Sequence, residues 1–270
     1  MACWPRNLGF LPIIFFLLLI ITVGISYLIA VLKGDVPVLF PYISDTGAKP
    51  PESCFFAQFV NISALVFVAL VYVRFKEVDT IEGLPPERVG RLNKASFFLG
   101  LAAAFGLSLV GNFQDLYVLV VHEIGAIMLF LFGTIYSLIH TRISYLLHPE
   151  YTRLYVCRLR FLFSLLMLVS MVTCLTCEVF ANAQWLHHHH QNKTDTEQLW
   201  KPTDGGYTLH IVSTSFEWTL AGSFMLFCLT FIGDFSKVSL GLNMFLHVDP
   251  FPEPGGSYEE EPNEYTKLYA

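Results

Sequence analysis

The sequence predicts an all-α integral membrane protein, folded as a six-span transmembrane helix bundle. Apolar residues make up 54% of its 270 residues and charged residues only 14%, whereas soluble domains contain about 25% charged residues. Six segments approach or reach the ~20 apolar residues with which a helix crosses ~30 Å of hydrocarbon. Because no polar stretch is long enough to build a soluble core of its own, we expect one membrane domain, residues 1–233.

The six predicted spans differ in character. The first has no small-residue cleavage site before Lys33, which predicts a retained signal anchor. The third is short, and its Gly100, Ala104 and Gly106 are spaced for close helix contact. The sixth is interrupted only by Glu217. The spans are predicted at residues 8–31, 54–73, 95–111, 116–138, 161–180 and 209–232.

The basic residues predict the orientation, because cytoplasmic loops retain Lys and Arg during insertion. If the N-terminus is cytoplasmic, only Lys33, Lys49, Lys193 and Lys201 of the 16 Lys and Arg residues lie on the opposite side. We therefore expect both termini in the cytoplasm. The predicted cytoplasmic set is Arg6, Arg74, Lys76, Arg88, Arg91, Lys94, Arg142, Arg153, Arg158, Arg160, Lys237 and Lys267.

The polar loop before the sixth span carries a glycosylation sequon, Asn192-Lys193-Thr194. Since this loop is predicted to be lumenal, we expect an oligosaccharide on Asn192. A second sequon, at Asn61, lies inside the second span, out of reach of the transferase. The run His187 to His190 leaves two interpretations open: a metal- or proton-binding tract, or a solvated tract without function.

Residues 234–270 have a different composition, with several prolines followed by an acidic stretch that contains tyrosines. A disordered cytoplasmic tail is expected. Its Tyr265-Thr266-Lys267-Leu268 fits the tyrosine-x-x-bulky-apolar pattern of endosomal and lysosomal sorting signals, although four-residue patterns also arise by chance. Such a peptide binds in an extended form, with Tyr265 and Leu268 in pockets of a clathrin adaptor.

Polar side chains recur at one depth of the predicted bundle. A charged group at the centre of a span costs roughly 2.5 to 3.5 kcal/mol on insertion scales, so such groups usually face the bundle interior. The candidate cluster in the lumenal third comprises Asn61, Asn112, Gln114, His122, Glu123, His210 and Glu217. It is either a site for a lipid headgroup, a small solute or a proton, with His122 and Glu217 as the pH-sensitive members, or a set of hydrogen bonds that only join helices.

Catalytic and metal-binding motifs are incomplete or missing in the sequence. His122-Glu123 begins the pattern of a zinc-protease helix, but Ala126 stands where the second His must follow. There is no phosphate-binding glycine loop and no G-x-S-x-G elbow. We therefore expect a protein that is not an enzyme, with no cofactor, no metal and no nucleic-acid partner, surrounded by membrane lipids.

Several short stretches occur in a characteristic order along the six spans. They are Pro41-Tyr42-Ile43-Ser44-Asp45-Thr46-Gly47, Pro50-Pro51-Glu52-Ser53-Cys54, Gly111-Asn112-Phe113-Gln114 and Glu217-Trp218. Their order and spacing resemble the DRAM family, the DNA-damage-regulated autophagy modulators. Two further stretches, residues 202–207 and 231–235, resemble the second, longer member of that family, whereas the four-histidine run and the acidic tail depart from it.

The resemblance implies a lysosomal or late endosomal membrane protein that promotes autophagy and can influence cell death. The family has no catalytic motif to carry over. Its wider relatives act in lipid-anchor remodelling and phosphoinositide regulation, which leaves open a transporter or lipid-handling protein that uses the polar cluster. A membrane enzyme acting on lipid anchors is a third hypothesis, disfavoured because the adjacent His122 and Glu123 point ~100° apart on a helix.

Overall fold

The computed structural model describes residues 7–81, 86–188 and 200–239, apart from the side chains of Pro86, Glu87 and His188. Eight α-helices and no β-strand are found in these residues. The helices are α1 Phe10–Lys33, α2 Glu52–Asp79, α3 Pro86–Asn112, α4 Asp115–Ile127, α5 Gly133–Leu146, α6 Leu154–His188, α7 Tyr207–Leu229 and α8 Ile232–Phe235. A π-helical turn, Met128–Phe132, joins α4 to α5, and a 3-10 turn, Asp45–Gly47, lies between α1 and α2.

Six helical segments of the described chain are long and apolar enough to cross a membrane, which confirms the predicted six-span class. They are Phe10–Lys33, Glu52–Asp79, Arg88–Asn112, Asp115–Leu146, Leu154–His187 and Tyr207–Phe235. All but the first extend past both ends of the predicted span. The predicted spans end near charged residues, because the hydropathy falls there. The helices themselves continue, because long polar side chains at the end of a span can reach the interface or the bundle interior.

Successive spans alternate in direction, so the bundle has two ends. The loop end holds the α1–α2, α3–α4 and α6–α7 connections, and the terminal end holds the start of α1 together with α8. The backbone N–H of Leu8 donates to the carbonyls of Phe235 and Val238, each at 3.1 Å, which ties the first span to the last. Along the bundle, α6 packs against α7, and α2 packs against both α1 and α3.

Aromatic rings fill the bundle between its two ends. The rings of Phe15 and Phe67 stack with centroids 5.3 Å apart, and Phe224 meets Phe67 edge-on at 5.1 Å. All three side chains are buried. Offset and edge-to-face contacts of this kind add to the energy of apolar burial, and here they separate the polar groups of the loop end from those of the terminal end.

Small residues of α3 let neighbouring helices approach closely, as the sequence predicts. A Cβ atom on Gly106 would lie 2.6 Å from the carbonyl oxygen of Gly125 in α4, and one on Gly100 would lie 2.7 Å from Val71 in α2. Ala104 is buried between them along the helix. A side chain at either glycine would therefore force α3 away from its neighbours.

Some of the predicted features lie outside the described residues. They are the glycosylation site Asn192, the histidines His189 and His190, and the tail beyond residue 239 with its Tyr265 to Leu268 signal. These features stay predictions.

Candidate functional site

The α1–α2 connection is hydrogen-bonded to α7 at the loop end. The backbone N–H of Ile43 donates to Oε2 of Glu217 at 2.8 Å, and Nε1 of Trp218 donates to the carbonyl of Pro41 at 2.8 Å. The hydroxyl of Tyr42 donates to Oγ of Ser213 at 2.9 Å. Two of the stretches that resemble the DRAM family, Pro41 to Gly47 and Glu217-Trp218, are therefore in direct contact, although they are far apart in the sequence.

A chamber of about 380 Å³ lies beside this contact and is termed the acidic chamber. Its walls come from the α1–α2 connection, α4, α6 and α7. Four residues of the predicted cluster line it together: His122, Glu123, His210 and Glu217. Two histidines and five carboxyls are among its described lining residues, namely His122, His210, Asp45, Asp115, Glu123, Glu178 and Glu217.

The two histidines are buried but retain ring nitrogens without partners. His122 is 4% exposed, and its Nδ1 donates to the carbonyl of Phe113 at 2.7 Å. Its Nε2 has no hydrogen bond among the described residues. His210 is 5% exposed, stacks on Trp200 at 4.4 Å and meets the Tyr42 ring edge-on, and within the described chain its ring nitrogens form no hydrogen bond.

The carboxyl of Asp45, in the α1–α2 connection, lies beside that of Asp115, the first residue of α4. Burial raises the pKa of Asp45 well above its usual value, and a hydrogen bond with the Asp115 carboxyl and the nearby charge of Glu217 raise it further. Because a buried carboxylate beside another carboxylate is costly, Asp45 keeps its proton and donates it to Asp115. Burial and the nearby Glu178 likewise raise the pKa of Tyr42, so its hydroxyl stays a neutral donor.

A second chamber, of about 280 Å³, is enclosed mainly by apolar side chains and is termed the apolar chamber. Glu217 and His122 line both chambers, so they form the boundary between them. Gly24 of α1 and Gly222 of α7 both border the apolar chamber, and a Cβ atom on either would meet no described residue beyond its own helical turn within 4 Å. Its apolar lining includes Leu19, Val23, Phe56, Leu107, Leu129 and Phe224.

The three amide residues of the predicted cluster do not line either chamber. Nδ2 of Asn61 donates to Oδ1 of Asn112 at 2.9 Å, and Nδ2 of Asn112 donates back to Oδ1 of Asn61 at 3.1 Å. Ser108 also donates to Oδ1 of Asn61, at 2.6 Å. This group joins α2 to α3. Gln114 lies just before α4, where its backbone carbonyl accepts the N–H groups of the first turn.

The sequence reading missed several residues that complete the acidic chamber. Glu178 lies within the fifth predicted span, and an acidic residue in an apolar run was the signal that could have revealed it. Asp45 lies in a stretch that had been noted only for its family resemblance. Asp115 and Trp200 lie in or next to connections, where hydropathy does not indicate how deep a residue lies in the membrane.

A second buried polar group, the arginine cluster, was also missed. It consists of Arg74, Arg160 and Asp234 at the terminal end, where both arginines are at most 1% exposed. Nη1 of Arg74 and Nη2 of Arg160 both donate to Oδ2 of Asp234, the former at 3.0 Å. Arg160 also donates to Oγ of Ser144 at 2.7 Å, and both guanidinium groups lie over the ring of Phe231.

Carboxyl groups from three helices and one connection surround the loop end. Among the described residues, neither buried histidine is hydrogen-bonded to a hydroxyl or thiol that it could activate. Among the residues that the structure describes, no group of three or more His, Cys, Asp and Glu side chains is arranged to hold a metal ion.

Comparison with known proteins identifies the family. Residues 7–238 match the Frag1/DRAM/Sfk1/Cwh43P N-terminal domain. The chain is 37% identical over 246 residues to DNA damage-regulated autophagy modulator protein 2 of Rattus norvegicus, covering 90% of each chain. It is 34% identical over 249 residues to DNA damage-regulated autophagy modulator protein 1 of Homo sapiens, covering 92% of this chain and 100% of that protein.

A more distant relative covers less of the chain. The Modulator of macroautophagy TMEM150B of Danio rerio is 35% identical over 163 residues, which are 59% of this chain and 66% of that protein. No solved structure matches. With the family match covering all six spans and the relatives covering nine-tenths of the sequence, this multi-pass membrane protein belongs to the Frag1/DRAM/Sfk1/Cwh43P N-terminal domain family.

Proposed function

We propose that this protein is a non-enzymatic regulator of autophagy in lysosomal or late endosomal membranes, with an influence on cell death. The observation that carries the proposal is the match, over 90% of both chains, to a protein named as a DNA damage-regulated autophagy modulator. A second such protein matches over its whole length.

The proposed orientation places both termini in the cytoplasm and the loop end in the lumen. Twelve of the 16 Lys and Arg residues support it, because they lie on the side of the termini. The acidic chamber then opens near the lumenal surface. A shared proton between Asp45 and Asp115 suits an acidic compartment, because low pH keeps that proton in place.

The relatives are named as modulators of autophagy, which supports a role without catalysis, and the loop end contains a thiol and a hydroxyl in contact. Cys174 lies 3.5 Å from Oγ of Ser213, and that hydroxyl donates to the carbonyl of Cys174 at 2.8 Å. Neither residue is hydrogen-bonded to His122 or His210 among the described contacts. A covalent mechanism would require such a base beside the nucleophile.

The location and the role are tested together in cells that lack the protein and receive one variant of it. Tyr265→Ala removes the predicted adaptor residue, and Tyr258→Ala is the matched control because Glu261 stands where the bulky apolar residue would be required. We expect the unmodified chain and Tyr258→Ala in lysosomes, and Tyr265→Ala at the cell surface. Fluorescence microscopy with a lysosomal marker measures the distribution.

Autophagic flux is measured in the same cells under starvation and under genotoxic stress. We expect flux to fall without the protein and to recover with the unmodified chain. Unchanged flux in cells without the protein would refute the regulatory role. Retention of the unmodified chain in the endoplasmic reticulum or at the cell surface, whatever residue stands at 265, would refute the location and the sorting signal.

A second candidate function is the handling of a lipid or small solute, and the two adjoining chambers favour it. Their shared lining by Glu217 and His122 would join a polar compartment to an apolar one. We expect Glu217→Gln and His122→Asn to abolish such handling while the protein still folds. Unchanged lipid or solute levels with both variants would leave these residues with a structural role.

A further inference from the structure

We propose that the two chambers bind one single-chain amphiphile that carries a protonated amine, with the amine in the acidic chamber and the alkyl chain in the apolar chamber. This inference names the ligand class for the second candidate function and does not depend on the role in autophagy.

The carboxyl oxygens of the acidic chamber favour a ligand with several hydrogen-bond donors and a positive charge. Five carboxyls line it, and no Lys or Arg is among its described lining residues. Glu217 uses Oε2 to accept the N–H of Ile43, while its Oε1 has no hydrogen bond in the described chain. An ammonium group is a donor in all of its N–H bonds, so it matches carboxylate acceptors that have no other partner.

The buried histidines give a second, independent indication of a ligand. His122 and His210 are 4% and 5% exposed, they line the chamber, and each presents at least one ring nitrogen without a described partner. Polar groups of buried side chains are nearly always hydrogen-bonded to protein or to ordered water, so these ring nitrogens are available to a group inside the chamber. The hydroxyl or ammonium groups of an amphiphile's head would supply the missing bonds.

The apolar chamber selects an alkyl chain. Its volume of about 280 Å³ lies near the lower end of the range for ligand pockets, which favours one chain over two. Glu217 lies at its boundary with the acidic chamber, so a charged head bound there would leave its chain pointing into the apolar chamber. An amine without an alkyl chain would leave this chamber unfilled. The head of an anionic lipid would lie against the five carboxyls of the acidic chamber, which is unfavourable.

The glycines that border the apolar chamber provide its access. Gly24 of α1 and Gly222 of α7 have open space where a side chain would lie, and Ala221 next to Gly222 is also small. This room between the first and last spans would let an alkyl chain enter from the bilayer. It also means that a larger side chain at Gly222 can be accommodated by the fold while it occupies the chamber.

The ligand class is tested with the full-length chain in phosphatidylcholine nanodiscs, using tritiated dodecylamine as the probe and empty nanodiscs as the background. We expect saturable binding above that background. Unlabelled dodecylamine should displace the probe, whereas dodecanol, dodecanoic acid and butylamine should each compete at least roughly tenfold less well, because each lacks either the charge or the chain.

Three variants locate the site. Glu217→Gln keeps an oxygen for the Ile43 N–H but cannot form a carboxylate beside a bound cation, and Gly222→Leu fills the apolar chamber. We expect each to weaken dodecylamine binding by about tenfold or more. Gly233→Leu is the matched control, because it is also a helical glycine with open space but lies at the terminal end, and its binding should equal that of the unmodified chain. Thermal unfolding verifies that all three variants fold.

Several outcomes would overturn the proposal. Equal competition by dodecanol would mean that the charge is not recognised, and equal competition by butylamine would mean that the site takes free amines. Unchanged dodecylamine binding in folded Gly222→Leu would mean that the alkyl chain of the ligand does not occupy the apolar chamber. Two further outcomes distinguish this proposal from the role in autophagy. A variant that loses dodecylamine binding but keeps normal autophagic flux would show that the regulatory role does not require the ligand. Dodecylamine binding by a protein whose removal leaves flux unchanged would refute the regulatory role alone.

Discussion

Asp234 is the single acidic partner shared by two arginines that are almost completely buried. Oδ2 of Asp234 accepts from both Arg74 and Arg160, and burial of these cations is tolerable only because their charges are compensated and hydrogen-bonded. Arg74 has one further acidic partner, Glu77, at 2.8 Å. Arg160 depends on Asp234 for its charge compensation among the described ion pairs.

The substitution Asp234→Asn should therefore destabilise the protein strongly. It keeps the size of the side chain but leaves the charge of Arg160 buried without a counterion, and breaking such a pair costs about 3–5 kcal/mol. Denaturant unfolding of the purified chain in detergent measures the free energy of unfolding. The control Glu77→Gln should have a smaller effect, because Arg74 retains Asp234. Equal stability of Asp234→Asn and the unmodified chain would mean that water compensates Arg160.

The raised pKa of Asp45 predicts how the stability of the protein depends on pH. Burial and the hydrogen bond with Asp115 raise the folded-state pKa of Asp45. The stabilisation is complete below the ordinary carboxyl pKa and is lost as pH rises through the raised value. We expect the melting temperature of the purified chain to be higher at pH 5 than at pH 7.5, measured by thermal unfolding in detergent.

The matched variant for this pH dependence is Asp45→Asn, which keeps a donor for Asp115 but cannot ionise. Its melting temperature should change less between pH 5 and pH 7.5 than that of the unmodified chain. Asp115 and Glu217 face Asp45 from α4 and α7 and remain in both proteins. An identical pH dependence of the two proteins would show that Asp45 does not contribute to it.

At the scale of the helices, the contact between α3 and α4 depends on two glycines. A Cβ on Gly106 would approach the backbone oxygen of Gly125 to 2.6 Å, and backbone atoms cannot move aside as a side chain can. We expect Gly106→Ala to lower the free energy of unfolding by about 1–3 kcal/mol, the usual cost of overpacking. Denaturant unfolding in detergent provides the measurement.

The control for this packing effect is Gly233→Ala, where the added Cβ meets open space. Alanine is the better helix former by about 1 kcal/mol, so this substitution should be neutral or stabilising. If Gly106→Ala were equally harmless, α3 and α4 would have to be able to separate without cost, and the close contact would not determine their packing.

The helical structure and the number of membrane spans could be predicted, because a long apolar run in lipid has to form a helix. The helix ends could not be predicted from the same signal. The helix α6 begins at Leu154, well before the predicted start at residue 161, and includes the buried Arg160. Its burial depends on Asp234, which lies 74 positions away in the sequence, and a local hydropathy window contains no information about such a partner.

At the scale of the whole molecule, depth along a helix could be predicted but rotation about its axis could not. His122 and Glu217 were placed at one depth by sequence, and both line the chambers. Asn61 was assigned to the same cluster, yet it faces Asn112 and Ser108 between α2 and α3. Asp45 enters the site through a connection whose path depends on its contacts with α7, which no periodicity encodes.

The orientation of the whole molecule predicts a single glycan although the chain has two sequons. We expect a glycosidase to increase the gel mobility of the chain expressed in mammalian cells, and Asn192→Gln to produce the same mobility without treatment. Asn61→Gln should not change the glycan, because Asn61 lies within α2 and is hydrogen-bonded to α3. The proposed lumenal position of the α6–α7 connection is the physical reason for modification at Asn192.

The location of the C-terminal tail can be tested with a new glycosylation sequon in the tail. Tyr265→Thr completes a sequon that begins at Asn263, far from the last span. If the C-terminus is cytoplasmic, this variant should carry the same single glycan as the unmodified chain, because the transferase acts only in the lumen. A second glycan on Tyr265→Thr together with an unmodified Asn192 would mean that the bundle is inserted in the reverse orientation. The acidic chamber would then face the cytoplasm, and its shared proton would experience neutral pH.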